Sequence, residues 1–302
     1  MAIGRRRSFI VSKAHPYNKI GDGPEGPEVR TVADKIRPVV TGQVITSYFI
    51  GKPHKLTGFD TLRCPATILE VQSYGKKILL HLDSGQSIII ALGMSGRLQY
   101  QDGGHTHVRF DLSQPTINGM LRVLRPNGAL YYDQSRPFAG IDIIPSSTLS
   151  GFFSTYGPDL LQCALTTWIP SDYWLAVFRR KKIVKWHICQ ALLDQELVAG
   201  IGNYLKSEIL YYAGVHPSRE MQSLTDDELE KIRECAHQVI ALAYAHRGFT
   251  IKSYISPDGE MGVYPAAVYG KTVDPYGRVV IKIPKTKDGR ASYYVAEVQR
   301  AF

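Results

Sequence analysis

The segment Pro24–Val29 (PEGPEV) groups two prolines with two carboxylates, which are residue types suited to nucleophilic and acid–base chemistry. An N-terminal amine has a pKa of about 8, so a useful fraction is neutral and nucleophilic near pH 7. A secondary amine such as that of proline can form an iminium, and a neighbouring carboxyl can supply a proton. Taken alone, the segment fits a plain loop and helix start as well as it fits a catalytic role.

Four further places in the chain have residue types that contact anions or nucleotides. They are the turn Tyr74–Lys77 (YGKK), the segment Leu92–Gly96 (LGMSG), the segment Ala199–Tyr204 (AGIGNY) before a helix, and Arg290 in a C-terminal hairpin. Glycines let backbone amides approach a phosphate, and a helix N-terminus adds a favourable dipole. Each alone is more often a solvated turn or a plain helix–helix connection, and only their combination indicates a function.

Three other patterns fail on spacing. Gly200–Gly202 begins like a dinucleotide fingerprint, but Leu205 occupies the position of the third glycine. Gly270–Thr272 ends like a phosphate loop, but Pro265 replaces the upstream glycine. The triplet His105–His107 places two histidines on one face of a β-like run, and no third ligand is spaced near them. We expect ordinary strand residues there.

Composition bounds the class of protein. The 302 residues are 44% hydrophobic and 21% charged, which is typical of a globular protein, and no apolar run approaches the roughly 20 residues of a membrane span. The net charge of +9 favours a polyanionic partner, most often nucleic acid. The four cysteines are scattered without a CxxC pair, which argues against a disulfide framework or a cysteine-rich zinc site and favours a reducing, intracellular setting.

The elements that must position these residues fall into two halves. Pro27–Pro38 has helical spacing, and residues 43–145 alternate short apolar runs with turn residues, which predicts a β-sandwich or barrel. The second half predicts helices, followed by a hairpin that turns at Asp288 and Gly289. The predicted helices are Asp172–Lys182, Ile183–Asp194, Tyr204–Ala213 and Thr225–Arg247.

Read together and in order, these five places resemble the Fpg/Nei family of DNA glycosylases (formamidopyrimidine-DNA glycosylase and endonuclease VIII). The resemblance runs from Pro24 to the end of the chain. It implies an α+β multidomain fold with an N-terminal β-sandwich and flanking helix, then a helical helix–two-turn–helix domain that ends in a β-hairpin finger. The implied boundaries are a basic extension at 1–23, the catalytic sandwich at 24–150, a linker at 151–171, the helical domain at 172–262 and the finger at 263–302.

The resemblance also implies roles for the residues of the catalytic group. Pro24 matches the amine that attacks the sugar C1′, Glu25 matches the acid beside it, and Glu28 matches a second family carboxylate. Lys76 matches the turn lysine that contacts phosphate and assists catalysis, and Arg290 matches the arginine that reaches the flipped nucleotide's phosphates.

A second group matches the DNA-binding residues of the family. Met94, Arg136 and Phe138 match the three side chains that fill the gap left by a flipped nucleotide, which suits apolar wedges and a planar cation. The segment around Arg136 (QSRPF) departs from the usual DPRRF but keeps the spacing of Arg and Phe. In the helical half, the residues that match phosphate contacts are Lys185, Gly202 and Asn203.

The C-terminal hairpin departs from relatives that bind zinc through four cysteines. Val295 and Val298 fall where two of those cysteines would be, and the region Tyr276–Val279 has no cysteine either. We therefore expect a zincless finger and neither a metal nor an organic cofactor. Burial of apolar side chains would hold it, including Val279, Ile281, Ile283, Tyr293 and Val295.

The start of the chain conflicts with the implied chemistry. Gly23 precedes Pro24, so the proline nitrogen is an amide without a basic lone pair, and no methionine at position 23 offers an alternative start. Residues 1–23 hold five basic residues against Asp22, so +4 of the net charge lies there. Either the extension is removed or artefactual, or another amine such as Lys76 takes over, or the protein binds damaged DNA without catalysis. The retained site residues favour the first alternative.

The overall expectation is a bifunctional glycosylase and abasic-site lyase that excises oxidised bases in base excision repair by Schiff-base formation and β,δ-elimination. The competing class is a non-catalytic damaged-DNA- or RNA-binding protein. The expected partner is double-stranded DNA with oxidised bases or abasic sites. We expect the protein to act as a monomer and not to bind a membrane. The expected place is the site of DNA, nucleoid or nucleus, or an organelle if 1–23 is a targeting segment. The loop Ser256–Tyr269 is shorter than in Fpg relatives, so oxidised purines and oxidised pyrimidines both remain open.

Overall fold

A computed structural model of the chain describes residues 23–113, 128–136, 139–250 and 256–301. It has a β-rich N-terminal half behind a first helix, a helical second half and a short C-terminal hairpin. Two hydrophobic cores fill the two halves, and a small third core lies beneath the hairpin. The expected α+β architecture is confirmed.

Helix α1 covers Gly26–Val40, somewhat longer than the predicted Pro27–Pro38. Pro27 lies in its first turn, where the missing N–H has no helical partner to lose. The Glu25 N–H donates to the Glu28 carboxylate at 2.8 Å, which closes the entry to the helix. The apolar face of α1, with Val32 and Ile36, is buried against the strands.

The strands run in the order β2-β9-β5-β4-β3-β1-β7-β8-β6. Strands β1 and β3 join the two halves of this order through only two residue pairs, and the halves bury one shared core, as in a sandwich. Alternating burial along strands such as β7 follows from side chains pointing to opposite faces. The bounds are β1 Val44–Ile50, β2 Leu56–Thr57, β3 Ala66–Tyr74, β4 Lys77–Leu82, β5 Gln86–Ala91, β6 Gly96–Gln99, β7 Thr106–Ser113, β8 Ala129–Gln134 and β9 Ile141–Pro145.

In the described part of the chain, six helices follow the sandwich. In the stretch that we expected to be a linker, α2 overlaps the start and α3 lies wholly inside, and α3 packs against the long helix α7. Thr225 caps α7 by accepting the Glu228 N–H at 3.1 Å, as its capping box predicts. The bounds are α2 Leu149–Phe153, α3 Leu160–Leu165, α4 Ser171–Phe178, α5 Ile188–Leu193, α6 Asn203–Ala213 and α7 Asp226–Ala245.

The hairpin consists of β10 (Ile281–Ile283) and β11 (Ser292–Tyr294). The predicted burial was wrong for two of its residues, since Val279 is 64% and Ile281 is 38% exposed. Val295 is fully buried with Val280 and neighbouring residues, so the hairpin is anchored through its far end. A two-stranded ribbon offers one face to the helical domain and leaves the other in solvent, which the alternation of a short strand pair requires.

Within the described ranges, no helix has the length and apolar character needed to cross a bilayer.

Candidate functional site

Glu25 joins the sandwich to the helical half. Its side chain extends from the start of α1 to the first turn of α6, where the carboxylate accepts the N–H groups of Gly202 at 2.7 Å, Tyr204 at 2.9 Å and Leu205 at 3.2 Å. These are amides that a helix start leaves without helical partners, and the helix dipole favours a negative charge there. The residue is only 3% exposed, so the carboxyl is fixed rather than mobile.

Gly202 has no side chain because the Glu25 carboxyl occupies that space. A Cβ at position 202 would lie 2.2 Å from the carboxyl carbon of Glu25. The N–H of Gly202, which we predicted to face a DNA phosphate, is donated to this carboxylate in the structure. The phosphate-like anion at this helix N-terminus is therefore a protein side chain.

Glu28 is fully buried beneath Glu25 and fastens three segments together. Its carboxylate accepts the Glu25 N–H, the Tyr204 hydroxyl at 2.9 Å and the Phe249 N–H at 2.6 Å. Burial raises the pKa of Glu28, and these donors oppose the rise. The contacts give Glu28 an orienting position behind the predicted acid.

Lys76 lies in the turn between β3 and β4, which is packed directly against the approach to α6. Gly75 has a φ of +54° and donates its N–H to the Asp159 carboxylate at 2.9 Å. A Cβ on Gly75 would come within 2.9 Å of the Cβ of Ala199. Gly75 supplies both the left-handed backbone and the close approach, so the turn that bears the half-buried Lys76 is held against the approach to α6.

The pKa values of Glu25 and Lys76 are both shifted towards neutral pH. Burial raises the pKa of Glu25 to about 7, and the positive charge of Lys76 opposes that rise. Burial lowers the pKa of Lys76 to about 8, Glu25 opposes that shift, and the Arg290 guanidinium adds to it. The three predicted residues therefore share one electrostatic environment, although they come from α1, a sandwich turn and the hairpin.

Pro24 is buried next to Glu25, and the residue before it is tightly enclosed. A Cβ on Gly23 would lie 2.2 Å from the carbonyl oxygen of Gly93 and 2.9 Å from the Cα of Met94. The backbone entering Pro24 thus passes against the Leu92–Gly96 turn, and the proline nitrogen is bonded to the Gly23 carbonyl carbon. An attacking amine at this nitrogen requires that bond to be cut.

Two of the three predicted gap-filling residues lie at the same edge of the sandwich. Met94 is half-buried, and its neighbour Ser95 accepts the Arg136 N–H at 3.0 Å through its hydroxyl. The Arg136 side chain is exposed. Phe138 lies outside the described residues.

The remaining predicted residues are on the helical side. Asn203 is 2% exposed, and its side-chain oxygen Oδ1 accepts a hydrogen bond from the Lys206 ammonium at 2.8 Å. Lys185 is exposed just after the short turn Lys181–Ile183. Arg290 is half-buried in the hairpin turn. The hairpin turn and the start of α6 are neighbours, because Asp288 in the turn pairs with Lys206 in α6.

Sequence reasoning missed five polar residues that position the site from within the structure. Asp159 holds Gly75, and the Gln195 amide accepts the Gly200 N–H at 2.9 Å. Glu208 accepts the N–H groups of residues 267–269, and Lys206 pairs with Asp288 at 2.6 Å. Except for Gln195, whose partner Gly200 is five positions away, each has partners distant in the chain, so no local periodicity indicates it. The only signal was a charged residue inside an otherwise apolar helix, at Lys206 and Glu208.

No group of three or more His, Cys, Asp or Glu residues in the described part of the chain is arranged to hold a metal ion. His107 is buried and its Nε2 lies 3.0 Å from the Gln134 carbonyl oxygen, whereas His105 is exposed. This placement fits an ordinary strand histidine with a backbone partner.

Two family models match the chain. The formamidopyrimidine-DNA glycosylase N-terminal domain matches residues 23–141, and the formamidopyrimidine-DNA glycosylase H2TH domain matches residues 170–254. Among curated relatives, a formamidopyrimidine-DNA glycosylase of an Exiguobacterium species is 32% identical over 92% of this chain and 99% of the relative. The protein of the same name from Desulforamulus reducens is 30% identical over the same shares.

Solved structures agree with this match. The MutM (Fpg) protein of Thermus thermophilus aligns with a TM-score of 0.77 and 27% identity, over 91% of this chain and 98% of that one. A Lactococcus lactis Fpg variant in complex with DNA containing Fapy-dG aligns with a TM-score of 0.79 and 24% identity, over 92% and 100%.

Proposed function

The chain belongs to the formamidopyrimidine-DNA glycosylase family, and we propose that it is a bifunctional DNA glycosylase and abasic-site lyase acting on oxidised bases in duplex DNA. One observation supports this most strongly. The buried Glu25 carboxyl, with a pKa of about 7, lies beside Pro24 and shares its environment with Lys76 and Arg290. A carboxyl that titrates near the working pH is suited to proton transfer.

In the proposed reaction the damaged nucleotide is turned out of the helix, and the free Pro24 amine attacks the sugar C1′. The C1′–base bond breaks, and the base leaves with the proton that the attacking amine gives up. The nitrogen lone pair then opens the sugar ring, so the C1′–O4′ bond breaks, Glu25 donates a proton to O4′, and an iminium forms between Pro24 and C1′. The resulting iminium acidifies the 2′ protons, so loss of one of them expels the 3′ phosphate in β-elimination. A second elimination then expels the 5′ phosphate, and Glu28 keeps Glu25 in place throughout.

We propose that the DNA is held by the charged groups around this carboxyl. Lys76 and Arg290 reach the phosphates next to the flipped nucleotide, and Asn203 and Lys185 contact the strand from the helical side. Met94, Arg136 and Phe138 fill the gap in the duplex. The hydrogen bond between Ser95 and Arg136 supports this assignment, because it keeps two of the three on one edge.

The N-terminal amine must be released before it can react. We propose that residues 1–23 are not attached to the working enzyme, because an amide nitrogen at Pro24 cannot form a Schiff base. In a second alternative the Lys76 amine takes this role in the uncut chain with weaker lyase activity. In a third, the protein binds damaged DNA without catalysis.

Borohydride trapping on abasic-site DNA, combined with intact mass measurement, separates these alternatives. A chain that begins at Pro24 and forms a covalent adduct supports release. An adduct with the full chain that is lost in Lys76→Ala supports the second alternative. If neither form traps DNA or releases a base, the enzyme assignment is wrong. A panel of duplexes with single oxidised purines or pyrimidines then assigns the lesion.

We propose further that the hairpin is a zincless finger and that the unit boundaries are those expected from the sequence, with the finger at 263–302. The burial of Val295 at a position that holds a cysteine in zinc-binding relatives supports this. The finer localisation follows from the substrate, since such an enzyme works wherever cellular DNA lies, in a nucleoid, a nucleus or an organelle.

A further inference from the structure

Lys206 and Asp288 form a buried ion pair between helix α6 and the hairpin turn. The Nζ–Oδ2 distance is 2.6 Å, and the two side chains are 0% and 3% exposed. Removing two charges from water is expensive, and such a pair adds little net stability compared with apolar residues of similar size. Its value therefore has to be sought in what it holds in position.

The Lys206 ammonium has three acceptors for its three N–H groups. They are the Asp288 carboxylate, the Asn203 side-chain oxygen Oδ1 at 2.8 Å and the Ala291 backbone carbonyl oxygen at 3.4 Å. Because an ammonium only donates, the oxygen of the Asn203 amide must face it. The NH₂ end of Asn203 is thereby turned away from Lys206 and towards the Tyr269 hydroxyl, 3.5 Å away.

The second oxygen of Asp288 fixes the turn that bears Arg290. It accepts the Thr286 hydroxyl at 2.6 Å and the Arg290 N–H at 3.0 Å. The Thr286 N–H donates to the Arg290 carbonyl oxygen at 2.8 Å, which closes the turn. The position of the Arg290 backbone is therefore set by a carboxylate that is itself set by Lys206.

The first turn of α6 is thus hydrogen-bonded to both the sandwich and the hairpin. Glu25 binds its free N–H groups from the sandwich, while Asn203 and Lys206 connect it to the hairpin. Arg290 lies at the far end of this second connection, and its positive charge lowers the pKa of Lys76. A path of direct contacts therefore leads from the predicted acid through α6 to the predicted phosphate-binding arginine.

We propose that Lys206 and Asp288 are positioning residues that hold Arg290 and the donor end of Asn203 against the DNA phosphates, doing for the hairpin what a metal site does in other fingers. The proposal rests on the proposed function for its ligand. It assigns Lys206 no contact with DNA, so its whole effect on binding passes through Arg290 and Asn203.

The test uses the full chain and a duplex with a tetrahydrofuran abasic analogue, with binding followed by fluorescence anisotropy over a range of salt concentrations. Lys206→Met and Asp288→Asn should each weaken binding about tenfold at 0.1 M salt. Each should also reduce the slope of log affinity against log salt concentration by about 0.9, the value for one phosphate contact. Arg290→Ala should do the same. Lys231→Met is the matched control, because it removes a lysine from an exposed ion pair on α7 with Glu234.

The discriminating result is the combination of variants. Lys206→Met in an Arg290→Ala background should weaken binding by much less than tenfold beyond Arg290→Ala alone, because only the Asn203 part remains to be lost. Full tenfold additivity would overturn the proposal, and so would Lys206→Met or Asp288→Asn binding as tightly as the wild type.

Amide hydrogen exchange is a second measurement. It needs no DNA and uses Asp288→Asn, a milder substitution than Lys206→Met. Amide hydrogen exchange at Gly289 and Arg290 should speed up at least tenfold in Asp288→Asn and stay unchanged in Lys231→Met. Unchanged exchange in Asp288→Asn would refute the positioning role even if Lys206→Met failed to fold. If the wild-type chain does not bind the duplex while exchange responds as expected, the proposed function is wrong and the positioning role remains.

Discussion

Gly202→Ala tests whether the Glu25 carboxyl is held where the chemistry needs it. The added methyl would lie 2.2–2.5 Å from three atoms of the Glu25 side chain, whereas ordinary van der Waals contact begins at 3.4 Å. The carboxyl must therefore retreat by about 1 Å or more, since the opposing atoms are those of α6 itself.

The size of the effect follows from the bonds that such a shift breaks. The three N–H···O bonds of 2.7, 2.9 and 3.2 Å would stretch towards or beyond the roughly 3.5 Å limit of a hydrogen bond. Buried donors left unpaired cost about 1–3 kcal/mol each, so we expect a loss of about 2–4 kcal/mol in the free energy of unfolding once water re-enters. A misplacement of about 1 Å at a reacting group costs about 100-fold in rate.

The assay is single-turnover excision from a lesion-containing duplex with whichever form of the chain traps DNA, alongside urea unfolding. Gly151→Ala is the control, because a Cβ there meets no atom within 4 Å and the residue lies within helix α2. We expect Gly151→Ala to match the wild type or be slightly more stable. A Gly202→Ala protein with wild-type rate and stability would refute the placement of Glu25, and lost stability with an intact rate would reduce Glu25 to a structural role.

Two further expectations concern pH and metal. If Pro24 is the free amine and Glu25 the acid, kcat/KM should be bell-shaped with a maximum between pH 7 and 8, because the amine must be neutral and Glu25, with a pKa of about 7, must be protonated. Since the charge of Lys76 lowers the pKa of Glu25, Lys76→Gln should move the alkaline limb to higher pH, and an unmoved limb would exclude Glu25 as the titrating acid. EDTA should leave excision and the unfolding temperature unchanged, because Val295 is packed in an apolar cluster; stoichiometric zinc found by elemental analysis would contradict the zincless finger.

The order of elements could be predicted from the sequence, because helix caps, strand alternation and turn glycines are local signals. The capping box at Thr225 and the helical spacing after Pro27 are examples. The site candidates came instead from the resemblance to the Fpg/Nei family, and their roles stay predictions. The contact between Gly202 and Glu25 could not be predicted from the sequence. Glycine is required at position 202 because of the Glu25 carboxyl, which is 177 residues away in the chain. The Lys206–Asp288 pair was hidden for the same reason, since its members are 82 positions apart.

The exposed face of the hairpin shows a different limit. Val279 and Ile281 have strand-like apolar character, yet they point away from the small core that holds Val295. A ribbon of two strands of three residues each has too little area to bury both faces, and the sequence does not say which face meets the helices.

The three hydrogen bonds that the Glu25 carboxylate accepts from α6 also affect how the protein unfolds. The sandwich and the helical half have separate apolar interiors, so each could in principle melt at its own temperature. Buried polar contacts across their boundary are made by the very carboxyl that would donate the proton, together with Glu28 and the Gly75–Asp159 bond. Selection for the reaction is thereby also selection for coupled unfolding of the two halves, and a substitution at Glu25 is expected to weaken that coupling and broaden the calorimetric transition.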